Sequence, residues 1–288
     1  MLIQYYFLKE GSREYDKSEL ITYLKAQKYT DYTEEGIIKK IYYKNPIINF
    51  NATFVISNRT NIPQIDKLSG KYLDTNFFVE FELLSNDYKV DRILDMIQEI
   101  CKNFDFYVYN VLFEEPTRFD RTLMINVLKV AKKAYKTRSE NQGSDEFVKY
   151  AKLSDEKLNI YYSYLEAKEA ISNQENIDAL DYVFVKKNSS RQAFASIDLT
   201  ALVKGCIIPP LATVVKVKQK DGEFYTKFEF VYKKISKYLE SISTNLTCPV
   251  YKLNDKYVKK VNKILSGTRF DRVTEELFPV ELSNIYDL

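Results

Sequence analysis

The chain has 288 residues, 45% of them hydrophobic and 29% charged, a formal net charge of +3, and neither histidine nor tryptophan beside 24 tyrosines. Without histidine, no Ser–His or Cys–His nucleophile, histidine zinc site or imidazole base can be built. The near-balance of charge excludes a general attraction to polyanions, and no stretch is long and apolar enough to span a bilayer.

In chain order, residues 2–9 read as an alternating strand and lack the basic head and cleavage site of a secretory signal. Residues 18–24 read as a helix, and residues 52–55 and 77–84 as strands. A helix follows, with Val90, Ile93, Leu94, Ile97, Ile100, Cys101 and Phe104 on one face and Asp91, Asp95, Gln98, Glu99 and Lys102 on the other. A last short strand at Val108 and Tyr109 closes this half.

The order strand-helix-strand-strand-helix-strand predicts a ferredoxin-like, split βαβ unit. A further helix is expected over residues 121–137. Residues 138–145 read as a loop, and residues 146–172 as a polar helix carrying Tyr161, Tyr162 and Tyr164.

The second half repeats the first. Thr117-Arg118-Phe119-Asp120-Arg121 recurs unchanged as Thr268-Arg269-Phe270-Asp271-Arg272. Ahead of it, residues 2–9 align with 180–187, Ser12-Arg13 with Ser190-Arg191, 18–24 with 196–202, 52–55 with 212–215, 77–84 with 224–231, and 108–109 with 250–251. The second-half counterpart of helix 90–104 runs through Ile235, Tyr238, Leu239 and Ile242.

The expected fold is therefore α+β, a tandem duplication of a ferredoxin-like (split βαβ) unit with a helical connector. Residues 1–137 form the first half, 138–178 the connector and 179–288 the second half. Equivalent residues, Phe81 and Phe228 among them, are expected in like environments.

Strand alternation puts Tyr5, Phe7, Phe77, Val79, Phe81 and Leu83 under the helices. Tyr6, Phe78, Phe184 and Tyr225 fall on the opposite faces, where they cover packing within the protein or form a partner-binding surface. Missing RNP1 residues and the carboxylates of Glu80 and Glu82 argue against base stacking on the first half.

Each Thr-Arg-Phe-Asp-Arg copy is expected to precede and cap a helix, residues 121–135 and 272–277. The competing reading makes Arg118, Arg121, Arg269 and Arg272 a site for an anion or a partner's carboxylate.

Between residues 204 and 263 there are 13 lysines, no arginine and 5 acids. Lys216, Lys218 and Lys220 alternate along one strand, as an edge guard or a phosphate-tracking groove. The acids Asp91, Asp95 and Glu99 read as a solvated stripe rather than a cation site.

Seven glycines leave no phosphate loop or Rossmann fingerprint, and Cys101, Cys206 and Cys248 follow no metal-ligand spacing. No catalytic residue, metal or cofactor is expected. Unclustered thiols suit a reducing cytoplasm. The abundance of Lys, Ile, Asn and Tyr suits an A/T-rich coding sequence, as of a low-GC bacterium or mobile element.

The expected function is a non-catalytic, cytoplasmic protein-interaction module of the inhibitor, immunity or assembly-factor type, with another protein as partner and no membrane. The alternatives are a nucleic-acid-binding protein using the lysine-rich second half, and a carboxylate enzyme using a divalent ion.

Overall fold

A computed structural model describes residues 1–63, 65–141 and 150–286. The protein is α+β and divides into two compact units, Met1–Ser144 and Asp145–Leu288.

The first unit runs β1 (Leu2–Glu10), α1 (Lys17–Lys25), β2 (Thr30–Glu35), β3 (Ile38–Asn45), β4 (Phe50–Ile56), β5 (Tyr72–Glu82), α2 (Asp87–Phe104), β6 (Tyr107–Tyr109) and α3 (Arg121–Asn141). Its six strands lie in the order β2-β3-β4-β5-β1-β6, with β1 antiparallel to both β5 and β6.

Local chemistry sets these boundaries. Asp16 accepts the Ser18 and Glu19 amides, each at 2.9 Å, and starts α1. Asn86 accepts the Lys89 amide at 3.2 Å and starts α2, which ends at Asp105 in a left-handed conformation, φ 55°.

All seven residues on the expected apolar face of α2 are buried. So are Tyr5, Phe7, Phe77, Val79, Phe81 and Leu83 of the inward row. Phe7 and Phe77 stack across β1 and β5 with centroids 4.4 Å apart.

The hairpin β2–β3 is absent from the expected order, which has two strands between the helices and not four. Thr30–Glu35 carries no apolar alternation, since β2 is a polar edge strand with Asp31, Glu34 and Glu35 exposed. The reading of residues 138–141 as loop is likewise corrected, because α3 continues through them. Its remainder, residues 142–145, and the helical reading of residues 146–149 lie outside the described residues.

The second unit runs β7 (Ala151–Lys152), α4 (Asp155–Glu175), β8 (Val183–Lys187), β9 (Ala193–Asp198), β10 (Cys206–Ile208), β11 (Val214–Gln219), β12 (Gly222–Lys227), α5 (Phe228–Ile235), β13 (Leu239–Ile242), β14 (Val250–Leu253), α6 (Asp255–Gly267), β15 (Leu277–Pro279) and β16 (Ile285–Tyr286). Five strands lie in the order β12-β11-β9-β8-β15, and three more in the order β10-β14-β13.

Val215 and Val217 of β11, Val231 and Ile235 of α5, and Val258, Val261 and Leu265 of α6 share one core. α4 serves the same unit. Tyr161 packs edge-on to Phe184 at 5.3 Å and its hydroxyl donates to the Leu211 carbonyl at 3.1 Å.

Here the residue-by-residue match between the halves fails. Residues 196–202, expected as a helix, form the end of β9 and a turn. The expected strand 224–231 becomes β12 and then α5, so Phe81 is buried on a central strand while Phe228 is half-buried on a first helical turn. The expected helix through Ile242 is a 3-10 turn followed by β13.

The physical reason is a double period. Phe224, Thr226, Phe228 and Phe230 alternate, yet Phe228, Val231, Tyr232 and Ile235 also fit helical spacing, and burial of Val231 and Ile235 decides for the helix.

Candidate functional site

The two Thr-Arg-Phe-Asp-Arg copies occupy unlike settings. In the first, Asp120 caps α3 by accepting the Leu123 amide at 3.0 Å. Arg121 reaches back to α2, donating to Asp91 at 2.9 Å and Asp95 at 2.5 Å. Arg118 donates to Asp105 at 2.5 Å and its guanidinium lies 4.0 Å from the Tyr107 ring centroid.

The second copy follows a helix instead of starting one, which corrects the expected helix over 272–277. Thr268 closes α6, Phe270 is buried in the core, and Thr226 donates to the Asp271 carbonyl at 2.7 Å. Arg272 lies 3.3 Å from Asp221 and 4.5 Å from the Phe224 ring centroid, and Arg269 is exposed. Three of the four arginines thus hold carboxylates of their own unit. The acidic residues Asp91 and Asp95 have Arg121 as their counter-ion.

Of the four aromatic residues read as a partner surface, three are buried: Tyr6, Phe78 and Phe184. Tyr225 is half-buried on β12. For Tyr6, Phe78 and Phe184, burial agrees with the reading as packing within the protein and not with that as a partner-binding surface. Tyr6 packs on Phe78 at 5.8 Å and Tyr109 at 6.4 Å. Its hydroxyl donates to Gln4, which donates in turn to Glu80, so the charge on that face is satisfied within the sheet. Phe184 is covered by α4.

Lys216 and Lys218 project from β11, which lies between β12 and β9 and is not an edge. Lys216 sits 2.7 Å from Glu223, Lys218 is registered directly opposite Glu223, and Lys220 belongs to the turn that follows. These three lysines form neither an edge guard nor a continuous phosphate track.

Each unit carries a groove that the predicted site residues touch only through Tyr6 in the first and Arg272 in the second. In the first, α3 starts with a packed face, burying Met124, Val127 and Leu128. The same apolar stripe continues through Val130, Ala131, Ala134 and Tyr135, where it borders an open groove of about 550 Å3. Leu2 and Tyr6 of β1, with Val111 and Leu112 of the following loop, line the other side. Val130 is 59% exposed, Val111 53% and Leu112 51%. Arg138 lines the same groove. The sequence carries only the four-residue spacing from Val127 to Ala131 to Tyr135, which marks one helix face.

In the second unit a groove of about 850 Å3 is lined by Phe194, Pro210, Phe228, Phe230, Tyr232 and Tyr251. Tyr232 lies 6.0 Å from Phe228 and 5.2 Å from Tyr251. Lys157, Lys227 and Arg272 also line it.

Elsewhere, burial shifts several titratable groups. Burial pushes the Cys101 and Cys206 thiols up to about 12, which makes them poor nucleophiles. Burial lowers Lys89 to about 8, opposed by Glu82, and its ammonium donates to the Asn49 carbonyl at 3.1 Å. Among the described residues, no three His, Cys, Asp or Glu side chains are grouped to hold a metal ion, and no helix is long and apolar enough to cross a membrane. Comparison with protein-family models, curated proteins and solved structures returns no match.

Proposed function

We propose that the protein binds another polypeptide without catalysing a reaction, as an inhibitor, immunity or assembly factor does, through the groove along α3. The observation that carries this reading is the continuation of the α3 apolar stripe beyond its covered part, facing exposed Val111 and Leu112. Clustered exposed apolar side chains of this kind mark interaction surfaces, and a helix laid into such a groove buries its own apolar face. Ala131 and Ala134 let a partner backbone approach closely.

The fold reading that accompanies the proposal is ferredoxin-like for the first unit only, extended by the β2–β3 hairpin. It is supported by β1 lying between β5 and β6 and by β5 lying between β1 and β4. The strand order of the second unit supports no second copy. A cytoplasmic location is supported by three free cysteines.

The test is a comparison of baits. Val130→Glu and Ala134→Arg alter exposed residues and should leave the melting temperature unchanged while removing a polypeptide that the unaltered protein retains from source-cell extract. Recovery of the same polypeptide by both variants would overturn the proposal.

A further inference from the structure

We infer a second and independent binding surface: the outer face of α5 and α6, with the aromatic groove beside it, fits single-stranded nucleic acid. Between residues 228 and 267 there are 8 lysines, no arginine and 3 acids. Lys233 and Lys234 of α5 and Lys237 of the turn after it are exposed. So are Lys256, Lys259, Lys260 and Lys263, which sit on the side of α6 opposite the buried Val258, Val261 and Leu265.

The acids that an ordinary solvated helix would interleave are few: Glu229 at the groove, Glu240 exposed on β13, and Asp255 at the start of α6. Asp255 accepts the Gly205 amide at 2.5 Å, and Glu229 faces Lys227 at 3.9 Å. The lysines meet aromatic rings instead. Lys237 and Lys260 approach the Tyr238 ring centroid from two elements, at 5.2 and 5.6 Å. Lys256 lies 4.9 Å from Tyr257, whose ring packs 5.4 Å from Tyr238. Ammonium groups that converge on these rings, with lysines outnumbering acids eight to three over the segment, focus positive potential and favour a polyanion.

Single-stranded nucleic acid is the polyanion the neighbouring groove selects. Phe228, Phe230 and Tyr232 come from the same α5 and offer ring faces to unpaired bases. Lysine without arginine suits point contact with phosphates rather than base-edge readout. An anionic membrane fits less well, because the apolar side of α6 is buried in the core and leaves nothing to insert.

Fluorescence anisotropy with labelled oligo(dT) and oligo(U) tests this on the full chain. Four phosphate contacts give a log–log salt slope of about −3, hence roughly 50-fold weaker binding at 200 than at 50 mM salt. Lys237→Glu with Lys260→Glu should abolish binding, and the milder Lys237→Gln with Lys260→Gln should weaken it and flatten the slope. Phe230→Ala with Tyr232→Ala should weaken binding about tenfold or more with the slope unchanged. No binding at low salt overturns the inference. So does duplex binding that matches single strands and ignores the ring substitutions, or binding to phosphatidylserine vesicles alone.

Discussion

Arg121 at the start of α3 forks onto two carboxylates one turn apart on α2, with Nη1 2.9 Å from Asp91 and Nη2 2.5 Å from Asp95. The motif residue that looked most like a site is thus a tie between two helices. Its neighbour Asp120 caps the same helix, so one short segment fixes where α3 begins and what it lies against.

Removing that tie should cost little stability. The side chains of Asp91 and Asp95 are 50% and 58% exposed, so Arg121→Ala is expected to destabilise by about 1 kcal/mol, and less in high salt. Urea denaturation at low and high salt checks this; a loss above about 3 kcal/mol contradicts it.

Asp74 behaves differently. It is 4% exposed, its Oδ1 accepts the Asn76 amide at 2.8 Å, and its Oδ2 is buried without a hydrogen bond. Burial raises its pKa against the opposing pull of the Thr60 hydroxyl, the Asn76 amide and Arg13. A raised carboxyl binds its proton more tightly in the folded state. The stability it contributes is present below the unfolded pKa and lost as pH rises through the folded one. Asp74→Asn should therefore raise the melting temperature at pH 7 and leave it nearly unchanged at pH 3.

Alkali should unfold the second unit. Burial raises the pKa of Tyr161, Tyr162, Tyr164 and Tyr182. These phenols ionise readily only once unfolded, so stability falls as pH rises above about 10. Absorbance at the phenolate band should show a late group of tyrosines titrating together with loss of structure. Smooth titration in a protein that stays folded would refute this.

Phe81 and Phe228 separate what the sequence shows from what it hides. Phe81→Ala empties a fully packed site and should cost about 3–5 kcal/mol. Phe228→Ala, on a half-buried first turn, should cost under about 1.5 kcal/mol. Equal losses would restore the two residues to like environments.

The first unit was largely legible because α2 carries one clean period and β1 and β5 pair apolar with apolar. The β2 edge was not, because a polar strand leaves no alternation to read. The second unit misled through the overlap of two periods in residues 224–235, and the apolar face of α6 lay outside the matched segments. Tyr6 and Phe78 were assigned to their sheet face correctly, but what covers that face comes from the loops and from β6, whose reach no spacing reveals. The α3 groove escaped notice because its apolar positions look like core until the structure shows Val130, Val111 and Leu112 more than half exposed among the described residues.

The most direct test of polypeptide binding along α3 is site-specific photo-crosslinking in source cells, with a photoreactive side chain at position 130 in the groove or at exposed position 129, on the side of the helix away from the groove-lining residues 131, 134, 135 and 138. One discrete cross-linked product is expected from position 130 and none from position 129. No product from position 130, or the same products from both positions, would contradict polypeptide binding along α3.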